Sequence, residues 1–282
     1  MDREGIASLA AFVRNHPSLF VLTGAGCSTA SGIPDYRDAA GQWKRRQPVR
    51  HQEFVASEAV RRRYWGRSLL GWPILGDASP NAAHRALARL EEAGHIHHLL
   101  TQNVDGLHQK AGSRRVTELH GSIAEVICLD CGAVSPRRDL QERLAQGNGW
   151  LLEQAAHSPQ APDGDADIET DFSAVAVPDC LACGGVLKPH VVFFGDVVPK
   201  HQVEAAMADL AAADGMLVAG SSLMVYSGYR FCLKAAELGK PIAAVNLGQT
   251  RADSLLALKL AQACDTALPC LLDELELNLL TH

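Results

Sequence analysis

Short apolar runs alternate with amphipathic stretches along most of the chain, a pattern that predicts helices packed on a parallel sheet rather than a β-sandwich. Strands are expected at 19–23, 96–101, 216–219 and 242–246, and helices at 6–14, 82–93, 202–213, 229–238 and 271–279. In the second of these helices Ala83, Ala86, Leu87 and Leu90 form one apolar stripe, with Arg85, Arg89 and Glu91 opposite. Two segments, about 38–79 and 122–187, break the alternation. They read as insertions into one α/β domain, together forming a smaller lobe, while 1–37, 80–121 and 188–282 form the large one. The acidic stretch with Asp163, Asp165, Asp167, Glu169 and Asp171 reads as a mobile loop.

Composition narrows this picture. At ~150 residues per domain, a length of 282 corresponds to about two domains. With 47% hydrophobic and 21% charged residues, disordered, collagen-like and coiled-coil chains are poor readings. A net charge of −6 argues against a generally nucleic-acid-binding surface. One segment runs the other way: from Trp43 to Arg67 there are eight basic residues and two acidic ones. It is either a solvated face or a local binding patch. No window reaches ~18 apolar residues, so no transmembrane helix is expected. The start, Met1-Asp-Arg-Glu-Gly5, lacks the basic and apolar regions of a secretory signal. A reducing, cytoplasmic setting is therefore expected, where cysteines serve as thiolates rather than disulfides. Of the eight cysteines, Cys128 with Cys131 and Cys180 with Cys183 have the C-x2-C spacing that lets two thiolates share one metal ion.

The first predicted strand runs into Gly24-Ala25-Gly26. A glycine-rich turn there lets backbone N–H groups approach a pyrophosphate, with the next helix N-terminus favouring its charge. Thr29 stands where the third glycine of G-x-G-x-x-G belongs, and no acidic residue closes a second strand about 20 residues on, so the loop fits a nucleotide without specifying a hydride carrier. Ile33-Pro-Asp-Tyr-Arg37 then places a carboxylate, an aromatic ring and a guanidinium together. Gln102, Asn103 and Asp105 follow the second strand, at the end where α/β sheets bind ligands. His120 comes just before the first cysteine pair.

Taken together, these motifs resemble the sirtuins, NAD-dependent protein-lysine deacylases. The resemblance rests on Gly24-Ala-Gly-x-Ser28, Gly32-Ile-Pro-Asp-Tyr-Arg37, Gln102-Asn-Val-Asp105, Leu119-His-Gly121 and the two cysteine pairs. It continues through Lys188-Pro-His-Val-Val-Phe-Phe-Gly195, Gly220-Ser-Ser222 and Asn246-Leu-Gly248, in the family's order from about residue 18 to 270. Val225-Tyr-Ser-Gly-Tyr-Arg230 and the long gap between the cysteine pairs look most like class II.

The resemblance implies a Rossmann-like large lobe in which NAD+ is a consumed co-substrate, which suits the incomplete glycine fingerprint. Gly24, Ala25, Gly26, Ser28, Asp35, Tyr36 and Arg37 would border the pyrophosphate, the nicotinamide ribose and the nicotinamide pocket. Gln102, Asn103 and Val104 would border the ribose, and Asp105 the carboxamide. Gly220, Ser221, Ser222, Asn246, Leu247, Gly248 and Cys264 would border the adenosine side. In this family nicotinamide leaves as the acyl oxygen attacks C1′ of the ribose, and a histidine, here His120, acts as general base for the ribose hydroxyl that attacks next. Imidazole suits that task because its ordinary pKa of ~6.5 leaves it largely neutral near pH 7.

The resemblance also implies that residues around Val192 and Gly195 pair with the substrate backbone, leaving acylated lysine side chains of proteins as the partner; otherwise 191–195 is a buried strand. His190 departs from the acidic or amide residue usual in the family. Tyr64 and Arg67 match the Y-x-x-R spacing with which some sirtuins read an acidic acyl group, and i, i+3 positions share a helix face. Four thiolates without a fifth ligand point to one closed, structural Zn2+ site, with Cys27, Cys232 and Cys270 outside it. The competing readings are mono-ADP-ribosyl transfer, a hydride-transferring dehydrogenase, and a zinc-ribbon adaptor that senses NAD+ without catalysis.

Overall fold

The computed structural model describes residues 2–36, 38, 42–44, 48–154 and 170–277. Its strands are β1 (Leu19–Thr23), β2 (Ile96–Thr101), β3 (Val116–Glu118), β4 (Gly121–Cys128), β5 (Val134–Pro136), β6 (Leu187–Val191), β7 (Gly215–Ala219), β8 (Ile242–Val245) and β9 (Leu258–Leu260). Its helices are α1 (Arg3–Asn15), α2 (His51–Ala56), α3 (Glu58–Asp77), α4 (Ala82–Glu92), α5 (Leu107–Lys110), α6 (Arg137–Gly147), α7 (Gly149–Gln154), α8 (Lys200–Ala212), α9 (Tyr226–Glu237) and α10 (Cys264–Glu274).

The larger sheet is parallel throughout, in the order β3-β2-β1-β7-β8-β9. Its central strands are apolar without interruption because both faces are covered. On β1, Leu19 and Val21 pack against Leu9, Leu87, Leu90 and Leu268 of α1, α4 and α10. Phe20 and Leu22, pointing the other way, join Leu210 of α8 and Phe231 of α9. Every β1 residue is buried, so a charge at Val21 or Leu22 would have no route to water. β1 pairs with β2 on one side and β7 on the other, so the chain reverses its direction of travel across the sheet between them. The crevice beyond the carboxyl ends of β1 and β7 is where such sheets bind ligands.

The smaller sheet is antiparallel, in the order β5-β4-β6. Phe54, Trp65, Leu69, Val126, Leu140, Leu144, Phe172 and Leu187 form the core beneath it. Arg137 is enclosed in that core, its guanidinium 5.3 Å from the Trp65 ring centroid and 5.0 Å from that of Trp72, with Nη2 donating to Ser68 Oγ at 3.1 Å. The division at 121/122 and 187/188 expected from sequence runs through this sheet, since β4 and β6 are partners.

The last helix differs from expectation. It begins at Cys264 and ends at Glu274, passing through Pro269, because its apolar face starts earlier, with Ala267, Leu268, Leu271 and Leu272. Residues 278–279 of the expected helix lie outside the described residues, as do Arg37, Arg45, Arg46 and the acidic stretch from Asp163 to Glu169.

Candidate active site

A cavity of about 870 Å3 opens at the crevice between β1 and β7. Gly24, Ala25, Gly26 and Ser28 line it from the loop after β1, and Asp35 and Tyr36 from the segment beyond. Gln102, Asn103, Val104 and Asp105 enter from the end of β2. Gly220, Ser221 and Ser222 enter from the end of β7, and Asn246, Leu247 and Gly248 from the end of β8. His120, Val192, Gly195, Tyr64 and Cys264 complete the expected set. Among the described candidates, Arg67 is the exception and does not line the cavity.

The loop after β1 forms two 3-10 turns, Ala25–Cys27 and Thr29–Ser31, instead of running into an α-helix as expected. Gly32 at φ +83° closes the second turn, and no α-helical dipole stands behind the loop. Backbone contact explains two of the glycines. Gly26 N donates to Gly220 O at 2.8 Å, and a Cβ on Gly220, whose φ is +65°, would lie 2.3 Å from Cys27 N. Side-chain hydrogen bonds then tie the three loops together. Gln102 Nε2 donates to Ser221 Oγ at 2.8 Å, Asn103 Nδ2 to Gly24 O at 3.1 Å and to Ser28 Oγ at 3.0 Å, and Ser28 Oγ to Asp105 Oδ2 at 2.7 Å. The polar groups are preorganised before any ligand arrives.

His120 lies beside this network. Its Nδ1 is 2.9 Å from Gln102 O and its Nε2 is 2.8 Å from Ser227 Oγ. A carbonyl only accepts, so Nδ1 carries the proton and Nε2 the lone pair. Burial pulls the imidazole pKa down to about 4; the Gln102 carbonyl opposes this and nearby Arg230 adds to it. His120 is therefore a neutral base at pH 7.

Under the loop, Cys27, His84 and His108 bring ligand-capable atoms within 4.8 Å of one another, a grouping not foreseen for Cys27. Each ring already has a partner at one nitrogen: His108 Nε2 lies 2.9 Å from Thr23 Oγ1, with its Nδ1 unpartnered among the described residues, and His84 Nδ1 accepts from Asn81 N at 3.3 Å. Burial lowers His84 to about 4 and His108 to about 3. Below pH ~6.5 the unfolded chain takes up protons that these folded histidines and His120 refuse, so stability falls with pH by about 1.4 kcal/mol per unit for each. Glu118, raised to about 7 by burial, acts in the opposite direction between ~4.5 and 7 but is a single group. The urea midpoint at pH 5 is therefore expected to fall clearly below that at pH 7; equal midpoints would contradict this account of the buried histidines.

The four cysteines of the two C-x2-C pairs converge, with all four Sγ atoms within 4.8 Å of one another. Cys128 and Cys183 Sγ are 3.5 Å apart, and Cys131 and Cys180 Sγ 3.8 Å. A tetrahedron with Zn–S bonds of ~2.3 Å has edges of ~3.8 Å, so the donor set fits a Zn2+ ion. Gly132 and Gly184, at φ +72° and +73°, turn the chain back at each pair, their N–H groups donating to Cys128 O and Cys180 O.

On the substrate side, β6 stops at Val191, and 192–194 are half-buried with Gly195 exposed, so this strip is not a buried strand. Val192 N donates to His120 O at 2.8 Å, and His51 N to Phe194 O at 2.9 Å. Tyr64 packs edge-on against Phe54 and Phe193 at the cavity wall. Arg67 sits three residues further along α3, ~60° from Tyr64 around the axis and ~4.5 Å along it, and is not among the residues that line the cavity. Ser227 and Arg230 line the cavity and escaped the sequence reading of the site. Their segment stood out only as a mark of class, because nothing local pairs a serine with a histidine 107 residues away.

The profile of the Sir2 family matches residues 24–227. The chain belongs to the Sir2 family. It is 58% identical over 267 residues to an NAD-dependent protein deacetylase 2 of Bradyrhizobium diazoefficiens, covering 94% of this chain and 97% of the relative. It is 49% identical over 274 residues to the mitochondrial NAD-dependent protein lipoamidase sirtuin-4 of Bos taurus, covering 95% and 86%. A solved structure described as Sir2-p53 peptide-NAD+ superposes with a TM-score of 0.77 at 28% identity, covering 99% of this chain and all of the other. In this Sir2-family chain, the cavity between β1 and β7 thus occurs in a fold whose solved relatives include one with peptide and NAD+.

Proposed function

We propose that the protein is an NAD-dependent protein-lysine deacylase that moves the acyl group of a modified lysine onto ADP-ribose and releases nicotinamide. The observation that carries this reading is a neutral His120, its tautomer set by Gln102 O, in the same cavity as the glycine loop. Gly24, Ala25, Gly26, Ser28, Gly220 and Ser221 would hold the diphosphate and adenosine side, joined by Ser222, Asn246, Leu247, Gly248 and Cys264. Asp35, Tyr36, Gln102, Asn103, Val104 and Asp105 would enclose the nicotinamide ribose. When bound, NAD+ supplies the electrophilic ribose carbon. The protein orients that carbon, excludes water and supplies the base. Segments 38–79 and 122–187 make the helical and zinc-bearing lobe against which the acylated peptide would lie, with Val192 and Gly195 offering backbone groups. Reduced thiolate ligands suit a cytoplasmic site of action, and no described helix is long and apolar enough to cross a membrane.

The test is incubation with NAD+ and an acetyl-lysine peptide, followed by mass spectrometry. Loss of the acyl mass from the peptide, with equimolar nicotinamide and O-acyl-ADP-ribose, is expected. A peptide that instead gains the mass of ADP-ribose would favour mono-ADP-ribosyl transfer. A panel of acyl chains addresses the acyl pocket. Acidic and long acyl groups, lipoyl included, are expected to be processed in addition to acetyl, with the Tyr64 hydroxyl as the polar contact. Because Arg67 stands off the cavity, Arg67→Ala is expected to change acidic-acyl turnover less than Tyr64→Phe does. The reverse order would return Arg67 to the site.

A further inference from the structure

The segment Val225-Tyr-Ser-Gly-Tyr-Arg230 has no role in the reading so far, yet it places a hydroxyl on the one nitrogen the reaction needs. Because His120 Nδ1 donates to Gln102 O, its only basic lone pair lies in the ring plane at Nε2. Ser227 Oγ is 2.8 Å from that atom, and since Nε2 has no proton to give, the hydroxyl donates to it. One imidazole lone pair accepts one well-directed hydrogen bond, so in this arrangement nothing else can hand a proton to Nε2 directly. Ser227 is 9% exposed and lines the cavity alongside His120, so its hydroxyl borders both the base and the space a co-substrate would fill.

The surrounding chain holds it there. Ser227 lies in the first turn of α9, where its backbone is fixed. The next residue is Gly228, where a Cβ would come 2.4 Å from Gln102 Oε1, so glycine lets the helix end descend onto the Gln102 and His120 pair. One turn on, Arg230 also lines the cavity, its Nε buried without a partner among the described residues, and its charge opposes protonation of His120.

We propose that Ser227 is a proton relay: its hydroxyl passes its own proton to His120 Nε2 while taking one from a ribose hydroxyl of the co-substrate. The O–H bond of the ribose breaks and its electron pair forms the new C–O bond to the acyl carbon, whose π bond to the lysine nitrogen opens with its pair ending on that nitrogen. One O–H bond of Ser227 breaks as another forms, and the positive charge ends on the His120 imidazolium. Ser227 is thereby a further catalytic residue, in contact with both the base and the reacting hydroxyl. This rests on the deacylase reading.

The test compares the intact protein with Ser227→Ala and Ser227→Thr in three measurements. Nicotinamide exchange into NAD+ reports the step before any proton is taken from the ribose, and Ser227→Ala should leave it within about twofold. Formation of O-acyl-ADP-ribose should fall by about a hundredfold, at the low end of what general acid–base groups contribute, and Thr should restore much of it. The solvent-isotope proton inventory should change from curved, with two protons in flight, to linear in Ser227→Ala. In the ligand-free protein, NMR titration should show the His120 pKa rising in Ser227→Ala, because a donor to the neutral ring is lost. Deacylation unchanged or faster in Ser227→Ala, or exchange lost in parallel with it, overturns the relay. An intact protein without NAD+-dependent exchange overturns the deacylase reading instead, and the ligand-free titration still reports on the bond from Ser227 to His120.

Discussion

His120→Asn is expected to lower acyl-lysine turnover by roughly 10²- to 10⁴-fold, the contribution typical of a positioned general base, while leaving the fold and nicotinamide exchange in place. Asparagine is the informative replacement because its amide N–H can still donate to Gln102 O, so the carbonyl that His120 now satisfies is not orphaned. What disappears is the lone pair facing Ser227. The same argument sets the pH profile. A general base works when deprotonated, so activity is lost as pH falls through its pKa. With that value pulled to about 4 by burial, kcat/KM in the intact protein should show no inflection near 6.5 from this residue. Steady-state assays from pH 5.5 to 8 check this. A variant that keeps more than a tenth of the turnover would remove His120 from the base role.

Removing the metal should have the second large effect, on the fold rather than the chemistry. The purified protein is expected to carry one zinc per chain, and Cys180→Ser or a strong chelator should lower the melting temperature by roughly 10 °C or more. Structural zinc contributes on the order of 10 kcal/mol in small domains, and in a chain of this size ~1 kcal/mol moves the midpoint by ~2–4 °C. The coupling is visible in the packing. Cys128 ends β4 and Cys180 opens the turn before β6, and both are buried in the core that holds Val126, Phe172 and Leu187. β6 in turn leads into the strip at Val192 and Gly195, so peptide binding should weaken before all structure is lost. Metal analysis, calorimetry and circular dichroism on the same sample decide it. A zinc-free chain with unchanged melting and turnover would show that the cysteine cluster has no structural part.

The large sheet was legible for a local reason. β1, β7 and β8 lie within a residue of where the apolar runs put them, because strands covered on both faces leave an unbroken signal in the sequence. β3 and β9 were missed: three-residue edge strands carry too little pattern to stand out. α10 was placed too late, since its buried face outweighs Pro269. The small sheet was invisible because β5 is three exposed residues and β4 mixes buried with exposed positions; what holds them is pairing with β6 and four thiols brought together across 48 intervening residues.

The parallel α/β fold class, the glycine loop, the two thiolate pairs and the candidacy of His120 are each written in neighbouring residues of the right type. How those pieces act depends on the folded arrangement. It replaced a helix dipole behind the loop with crossing backbones at Gly26 and Gly220, and it set Arg67 outside the cavity. It also put the Ser227 hydroxyl on the lone pair of His120. Those outcomes depend on where α9, β2 and β7 come to rest on one another, a contact geometry made by buried surfaces far apart in the chain, for which no short stretch of sequence carries the information.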